Sequence, residues 1–297
     1  MSEAIVRPYA LAAPRLLGAP FSWQRAMPLL LAAPLVLFML AFYALPVVTM
    51  LMRSVSDPVW SVSNFAALPD DTVFLKTFAN TFYTSLIVTL GSLLLGYPVA
   101  LALVRAPRWA PLIIVLILLP FWTSVLVRSY AWMVLMGRHG LINEALTAAG
   151  LLDRPLRILN TPLATQIAMT HILLPYMILP IANALRQIDP SLLRASSGLG
   201  ATPLRTFLQV TLPLSMPGVA AGMLLVFVLA LGFYITPAMV GGPREITISM
   251  LIAQQVDQLN WAYAATLSAV LLGAALAIIA ICYRLPGVSS AFRMNTR

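Results

Sequence analysis

Charge is what this chain has least of. Only 9% of its 297 residues are Asp, Glu, Lys or Arg, against about a quarter in an ordinary soluble domain. So few charged side chains cannot clothe a water-facing surface, which excludes a conventional cytosolic enzyme. A hydrophobic content of 61% excludes a disordered chain. Cys282 is the only cysteine, so an internal disulfide and a disulfide-stapled secreted module are excluded as well. The two histidines, His139 and His171, stand far from it in sequence and make no metal-ligand pattern. The phosphate loop G-x-x-x-x-G-K-[ST], the nucleophile elbow G-x-S-x-G and the zinc motif H-E-x-x-H are all missing. No nucleotide-hydrolysing or catalytic apparatus is therefore written in this chain, and no cofactor or metal is expected on it.

What is abundant is apolar sequence, with a mean hydropathy of +0.92. A helix needs about 20 mostly apolar residues to cross a hydrocarbon core of about 30 Å. The uncharged intervals 26–52, 77–104, 109–127, 158–185, 206–243 and 258–283 are long enough or nearly so. They predict six spans near 27–52, 79–104, 110–136, 161–185, 215–238 and 260–283. Runs such as Leu112-Ile113-Ile114-Val115-Leu116 are apolar all round, which suits membrane helices and not the alternating strands of a barrel. The expected fold is an all-α polytopic membrane protein with one six-helix membrane domain over 27–284. Residues 1–26 form an N-terminal arm and 285–297 a tail.

Lys+Arg outnumber Asp+Glu by 18 to 9. In a soluble protein this balance would suggest nucleic acid; here it reads as topology signal and lipid-headgroup contact, with no nucleic acid partner. Placing both termini in the cytoplasm puts Arg7, Arg15, Arg25, Arg105, Arg108, Arg186, Arg194, Arg205, Arg284, Arg293 and Arg297 inside, opposed only by Glu3 and Asp189. Outside, Arg53, Lys76, Arg138, Arg154, Arg157 and Arg244 are matched by Asp57, Asp70, Asp71, Glu144, Asp153, Glu245 and Asp257. The positive-inside rule then gives both termini cytoplasmic. The outer segments 53–78, 137–160 and 240–258 become the polar surface available to an external partner.

The connection between spans four and five, Asp189 to Gly218, is rich in structural punctuation. Asp189-Pro190 and Thr202-Pro203 each read as a helix cap followed by proline at the first helical position. Gly198 or Gly200 supplies a left-handed helix stop between them, and Leu212-Pro213 is expected to break the second helix. A passive connector would satisfy the same spacing.

At this point the sequence resembles the permeases of ABC importers. Their cytoplasmic loop follows E-A-A-x3-G-x9-I-x-L-P, and Arg194-Ala195-Ser196, Gly200 and Val210-Thr211-Leu212-Pro213 fall at that spacing. Arg194 stands where the pattern has an acid, and Ser196 where it has alanine. Further segments resemble the spermidine/putrescine branch of the family: Pro120-Phe121-Trp122-Thr123-Ser124, Arg128-Ser129-Tyr130-Ala131-Trp132, Gly140-Leu141-Ile142-Asn143, the run from His171 to Pro180, and Thr236-Pro237-Ala238-Met239-Val240-Gly241-Gly242-Pro243. The resemblance covers roughly residues 30–285. It implies the type I importer (MetI-like) permease fold in a bacterial inner membrane. It also implies a second permease subunit, two ATP-binding subunits that carry ATP and Mg, and a periplasmic binding protein. By the same resemblance residues 190–213 couple the spans to the ATPase, with Leu199, Leu204, Phe207 and Leu208 offering an apolar face for its groove.

Other residues bear on a path through the membrane. Arg128 is the only charge well inside a predicted span, where it would cost about 2.5–3.5 kcal/mol unless it faces protein or water. Two readings stay open for it: a structural or gating group, and an arginine snorkelling to the outer interface. Phe121, Trp122, Tyr130, Trp132, Phe233 and Tyr234 could attract a cation through their ring faces, or could simply pack. Pro237, with Pro98, Pro120, Pro175 and Pro180, is expected to interrupt a span, and the bend at 232–237 is a gate candidate. No acid lies inside any predicted span. A stand-alone secondary transporter or channel is the competing class; intramembrane acids and inverted repeats, its usual marks, are not evident.

Overall fold

A computed structural model describes residues 23–56, 59–243 and 245–284. The N-terminal arm as far as residue 22, the tail 285–297, and Asp57, Pro58 and Arg244 lie outside the described residues. Every regular element among the described residues is helical. The chain divides into two compact units, Met1–Thr49 and Met50–Arg297. In the first, α1 (Trp23–Met39) passes through a π-helical turn, Leu40–Ala44, into α2 (Leu45–Ser56), whose last residues belong to the second unit. Leu35, Phe38, Phe42 and Tyr43 are exposed, as on a helix whose solvent is hydrocarbon.

The second unit begins with the end of α2 and the short α3 (Ser63–Ala66). It continues with α4 (Thr72–Arg105), α5 (Ala110–Leu118), α6 (Val125–Leu135), α7 (Leu141–Ala148) and α8 (Pro162–Arg186). Then come α9 (Pro190–Gly198), α10 (Pro203–Thr206), α11 (Leu212–Leu231), α12 (Ile235–Val240), α13 (Ile248–Asp257) and α14 (Trp261–Arg284). Helices α4, α8 and α11 form the core. Val88, Leu103, Met169, Leu173, Met177, Ile178, Ile181, Val219 and Val226 are buried between them. In lipid no hydrophobic force favours helix contact over tail contact, so close packing at small residues must supply the attraction. Gly96 and Gly222 both sit against Met177, and Gly218 sits against Ala184 and the backbone at Pro180.

Among the described residues five continuous helices are long and apolar enough to cross a membrane, or six if a bent pair is counted as one span. The pair is Ala110–Trp122 with Val125–Leu135, which meet at 102°. The expectation of one uninterrupted span over 110–136 is therefore corrected. A 3-10 turn at Leu119–Trp122 carries Pro120, and Thr123 and Ser124 are extended at ψ 144. Proline cannot donate to the helical ladder, and the freed groups are met locally. The Thr123 hydroxyl donates to the Pro120 carbonyl at 2.8 Å, and the Leu126 amide donates to the Ser124 hydroxyl at 3.3 Å.

Three further expectations change. The helix after Thr202 does not stop at Leu212-Pro213: Pro203–Leu231 is one helical run through a π-helical turn at Phe207–Thr211. The wider turn ends at Thr211, two residues before Pro213, and absorbs the ring that would otherwise strike the preceding turn. The same device precedes Pro46, one residue beyond the Leu40–Ala44 π turn and the following Leu45. Pro98, Pro175 and Pro180 lie within continuous helices and do not interrupt them. Span five ends at Leu231, and Pro237 belongs to the separate α12.

At one end of α4 the Asp71 carboxylate caps the helix. It accepts from the Val73 and Phe74 amides at 2.8 and 3.1 Å, and from the Tyr263 hydroxyl of α14. The Tyr263 hydrogen bond, helped by the two amides, holds this carboxyl below the usual carboxylate range. A group depressed on folding stabilises the protein above its unfolded pKa and stops doing so as pH falls through its folded value. Asp71→Ala should therefore cost about 1 kcal/mol near neutral pH. Thermal unfolding in detergent checks it: the gap from wild type should close as the medium is acidified below that folded value. A gap independent of pH would remove the charge from the explanation.

Candidate functional site

Two regions gather the residues singled out in the sequence. The first is the loop around Gly200. Asp189 caps α9 by accepting from the Ser191 amide at 2.8 Å, which also holds its carboxyl below the ordinary range. Thr202 caps α10 through the Arg205 amide at 3.4 Å. Between them Gly200 adopts φ 79°. The Gly200 amide donates to the Ser197 carbonyl at 3.0 Å and the Ala201 amide to the Ser196 carbonyl at 3.1 Å. That is the paired pattern of a Schellman stop. The Ser196 and Thr206 hydroxyls lie 2.9 Å apart and fasten the two short helices to each other.

The loop's side chains divide into two sets. Leu199 is 89% exposed, and Leu204, Leu208, Arg194, Ala195 and Pro213 are also exposed. Phe207 departs from the expected outward face. It is half-buried and stacks edge-on against Tyr97 of α4, with ring centroids 5.8 Å apart. The Tyr97 hydroxyl lies 2.8 Å from the hydroxyl of Ser215, two residues beyond Pro213. Leu212 is half-buried at the start of α11. Tyr97 thus clasps the base of the loop to α4, a role that sequence spacing did not reveal. A tyrosine one residue before Pro98, in an otherwise apolar span, was the available signal.

The second region surrounds the bend between α5 and α6. Phe121 stacks on Tyr176 of α8 at 5.1 Å between centroids. The Trp132 indole N–H donates to His171 Nδ1 at 3.2 Å. Arg128 lies within electrostatic reach of both Tyr176 and His171. Those two residues are roughly 21 and 14 Å along α8 from its start, in the middle of the helix. Arg128 is thus within electrostatic influence of two residues from the middle of α8. Its Nε is buried without a hydrogen-bond partner among the described residues. The bend is pinned on its other side by Ser129 and Thr236, whose buried hydroxyls lie 2.7 Å apart and join α6 to α12.

Phe121, Arg128 and Trp132 are thus brought together with His171 and Tyr176. Trp122 and Tyr130 are exposed, at 83% and 58%, and have no ring partner among the described residues. Phe233 and Tyr234 lie on the link between α11 and α12, the first against the core and the second exposed, and Pro237 is buried in α12. His171 also borders a cavity of about 330 Å³, lined otherwise by apolar residues such as Val99, Ile113, Leu116 and Leu174. The sequence places His171 and Tyr176 in the family-like run to Pro180 and assigns neither a contact with the bend. A histidine and a tyrosine five apart in an apolar run were the signal for them. Among the described residues no three His, Cys, Asp or Glu side chains gather where a metal could sit.

Residues 21–285 match the family described as "binding-protein-dependent transport system inner membrane component". The chain is 36% identical over 212 residues to the spermidine/putrescine transport system permease protein PotB of Escherichia coli (strain K12), covering 71% of this chain and 77% of the relative. It is 36% identical over 240 residues to PotB of Haemophilus influenzae, covering 77% and 84%. A chain of the crystal structure of a bacterial alginate ABC transporter, in complex with an alginate-bound periplasmic protein, superposes with a TM-score of 0.71. At 19% identity, over 88% of this chain and 94% of that one, the likeness shows a shared fold. The helix set, the capped loop around Gly200 and these matches converge: this chain belongs to the binding-protein-dependent transport system inner membrane component family and is a membrane-embedded permease subunit of an ABC importer.

Proposed function

We propose that this permease carries polyamines such as spermidine and putrescine, delivered by a periplasmic binding protein. The observation that carries the reading is 36% identity to PotB proteins over most of both chains. Under this reading the importer also holds a second permease, two ATP-binding subunits with ATP and Mg, and surrounding lipid. The chain itself is not an enzyme and binds no cofactor. Both termini face the cytoplasm, residues 27–284 form the permease domain, and residues 190–213 dock on the ATPase. The rigid pair of short helices is suited to that docking: a floppy loop could not transmit a push, whereas Ser196–Thr206 and the Tyr97 clasp join the loop to α4 and α11.

Transport then proceeds by alternating access. ATP closes the partner dimer, the docked loop moves with it, and the helices that carry the bend shift. Direction comes from the difference in substrate affinity between the two states, not from tight binding in either. Phe121, Trp132 and Tyr176 offer ring faces to a passing ammonium, each worth about 0.5–2 kcal/mol, and Trp122, Tyr130, Phe233, Tyr234 and Pro237 are further candidates for the path or its gate. Arg128 would repel such a cation, so its place is in the framework of the path.

The complete importer, reconstituted with its own binding protein, should show ATPase activity stimulated by spermidine or putrescine and uptake of the same ligand. Stimulation by another solute class, with polyamines inert, would overturn the substrate. The orientation has its own check. In a Cys282→Ala background, a Gly200→Cys variant should react with a membrane-impermeant maleimide only after cells are opened. Labelling in intact cells would reverse the topology.

A further inference from the structure

We propose that Arg128 pairs with a carboxylate on a spanning helix of the second permease subunit. The inference rests on the permease assignment and adds the chemistry of the subunit contact. Arg128 follows the 102° bend, on an arm of the bent pair long and apolar enough to count as a span, and interacts electrostatically with His171 and Tyr176 of α8. Its Nε is buried and unpartnered among the described residues. A guanidinium held inside the hydrocarbon zone is stable only when it is paired or hydrated. The neighbours supplied by this chain are an imidazole and a phenol, and neither neutralises a cation.

The described spans of this chain supply no counter-charge. The spanning runs Leu31–Ser56, Thr72–Arg105, Pro162–Arg186, Pro203–Leu231 and Trp261–Arg284, and both arms of the bent pair, contain no Asp or Glu. The acids of α7 and α13, Glu144 and Asp257, lie on separate short helices. The face around Arg128 is also open within this chain: Trp122, Tyr130 and His171 are exposed. A neighbouring subunit with one acid at this depth would cover the rings and neutralise the charge together. Arginine favours such a role because its planar fork can meet both oxygens of a carboxylate.

The test uses the whole importer, expressed with its partner subunits. A photoreactive amino acid replacing Arg128 should crosslink to a spanning segment of the second permease that contains Asp or Glu. Arg128→Lys should keep most transport, whereas Arg128→Glu should lose on the order of 100-fold, the scale of a broken buried pair. Replacing the crosslinked acid by arginine should restore the Arg128→Glu variant. Crosslinks confined to lipid, or to another copy of this chain, would overturn the pairing, as would full transport by Arg128→Glu. A wild-type chain that brings down neither an ATPase nor a second permease would instead defeat the permease assignment, which separates the two failures.

Discussion

Gly218→Val should abolish assembly of the importer while leaving the chain able to enter the membrane. Insertion depends on the hydropathy of each span, which valine does not lower. Packing depends on how near α11 can come to α8. A Cβ at position 218 would stand 2.5 Å from the Ala184 Cβ, 2.6 Å from the Pro180 carbonyl oxygen and 3.2 Å from the Ile181 Cα. None of these is the far end of a flexible side chain, so the helices themselves must separate. Overpacking of this kind costs about 1–3 kcal/mol where side chains can adjust, and the backbone contact places this site at or above the upper end.

Position 222 provides the comparison. Its Cβ would meet the Met177 Sδ at 2.9 Å and the Met177 carbonyl oxygen at 3.2 Å. A thioether can swing aside at small cost, so Gly222→Ala should be the milder change. Size-exclusion profiles and thermal unfolding of the complex in detergent measure both variants. A wild-type melting curve for Gly218→Val would mean that α8 and α11 do not meet as closely as this packing requires.

That pair of glycines also marks what the sequence could and could not disclose. Gly218-Val219-Ala220-Ala221-Gly222 is a small-xxx-small pattern in an apolar helix. It signals close approach without naming the opposing helix. The spans were legible because hydrocarbon imposes a length and forbids charge. The caps at Asp189 and Thr202 and the stop at Gly200 were legible because each rests on local backbone chemistry. The fate of proline was not. Pro98, Pro175 and Pro180 stay within helices, while Pro120 sits at the 102° bend. The difference lies in the extended backbone at Thr123 and Ser124, which ends the helix after Pro120. Pro213 was misread for the same reason, because a π-helical turn costs no change in composition and leaves no mark in periodicity. The contacts of Tyr97 with Ser215 and of Trp132 with His171 join residues 118 and 39 positions apart. No single-sequence pattern links such pairs.

Gly200→Val should leave the complex able to form its membrane core but weaken its hold on the ATPase and uncouple ATP hydrolysis from uptake. The reason is confined to the backbone. A Cβ at position 200 meets nothing within 4 Å, so no steric contact is lost or gained. What changes is the cost of φ 79°, about 1–2 kcal/mol for an ordinary L-residue and more for a β-branched one. The Schellman bonds from Gly200 and Ala201 hold the angle between α9 and α10. Relieving the strain means turning that corner differently, which would misplace Leu199 and Leu204 relative to the ATPase groove. Gly198 gives a matched control: a Cβ there also meets nothing within 4 Å, but its φ is not positive. Gly198→Val should therefore couple nearly as wild type, and Gly200→Asn, which tolerates the left-handed region, should fall between. Ligand-stimulated ATPase activity and uptake in proteoliposomes, measured as a ratio, separate coupling from expression. Equal ratios for Gly200→Val, Gly198→Val and wild type would show that the Gly200 turn does not set the angle through which the ATPase moves the membrane helices.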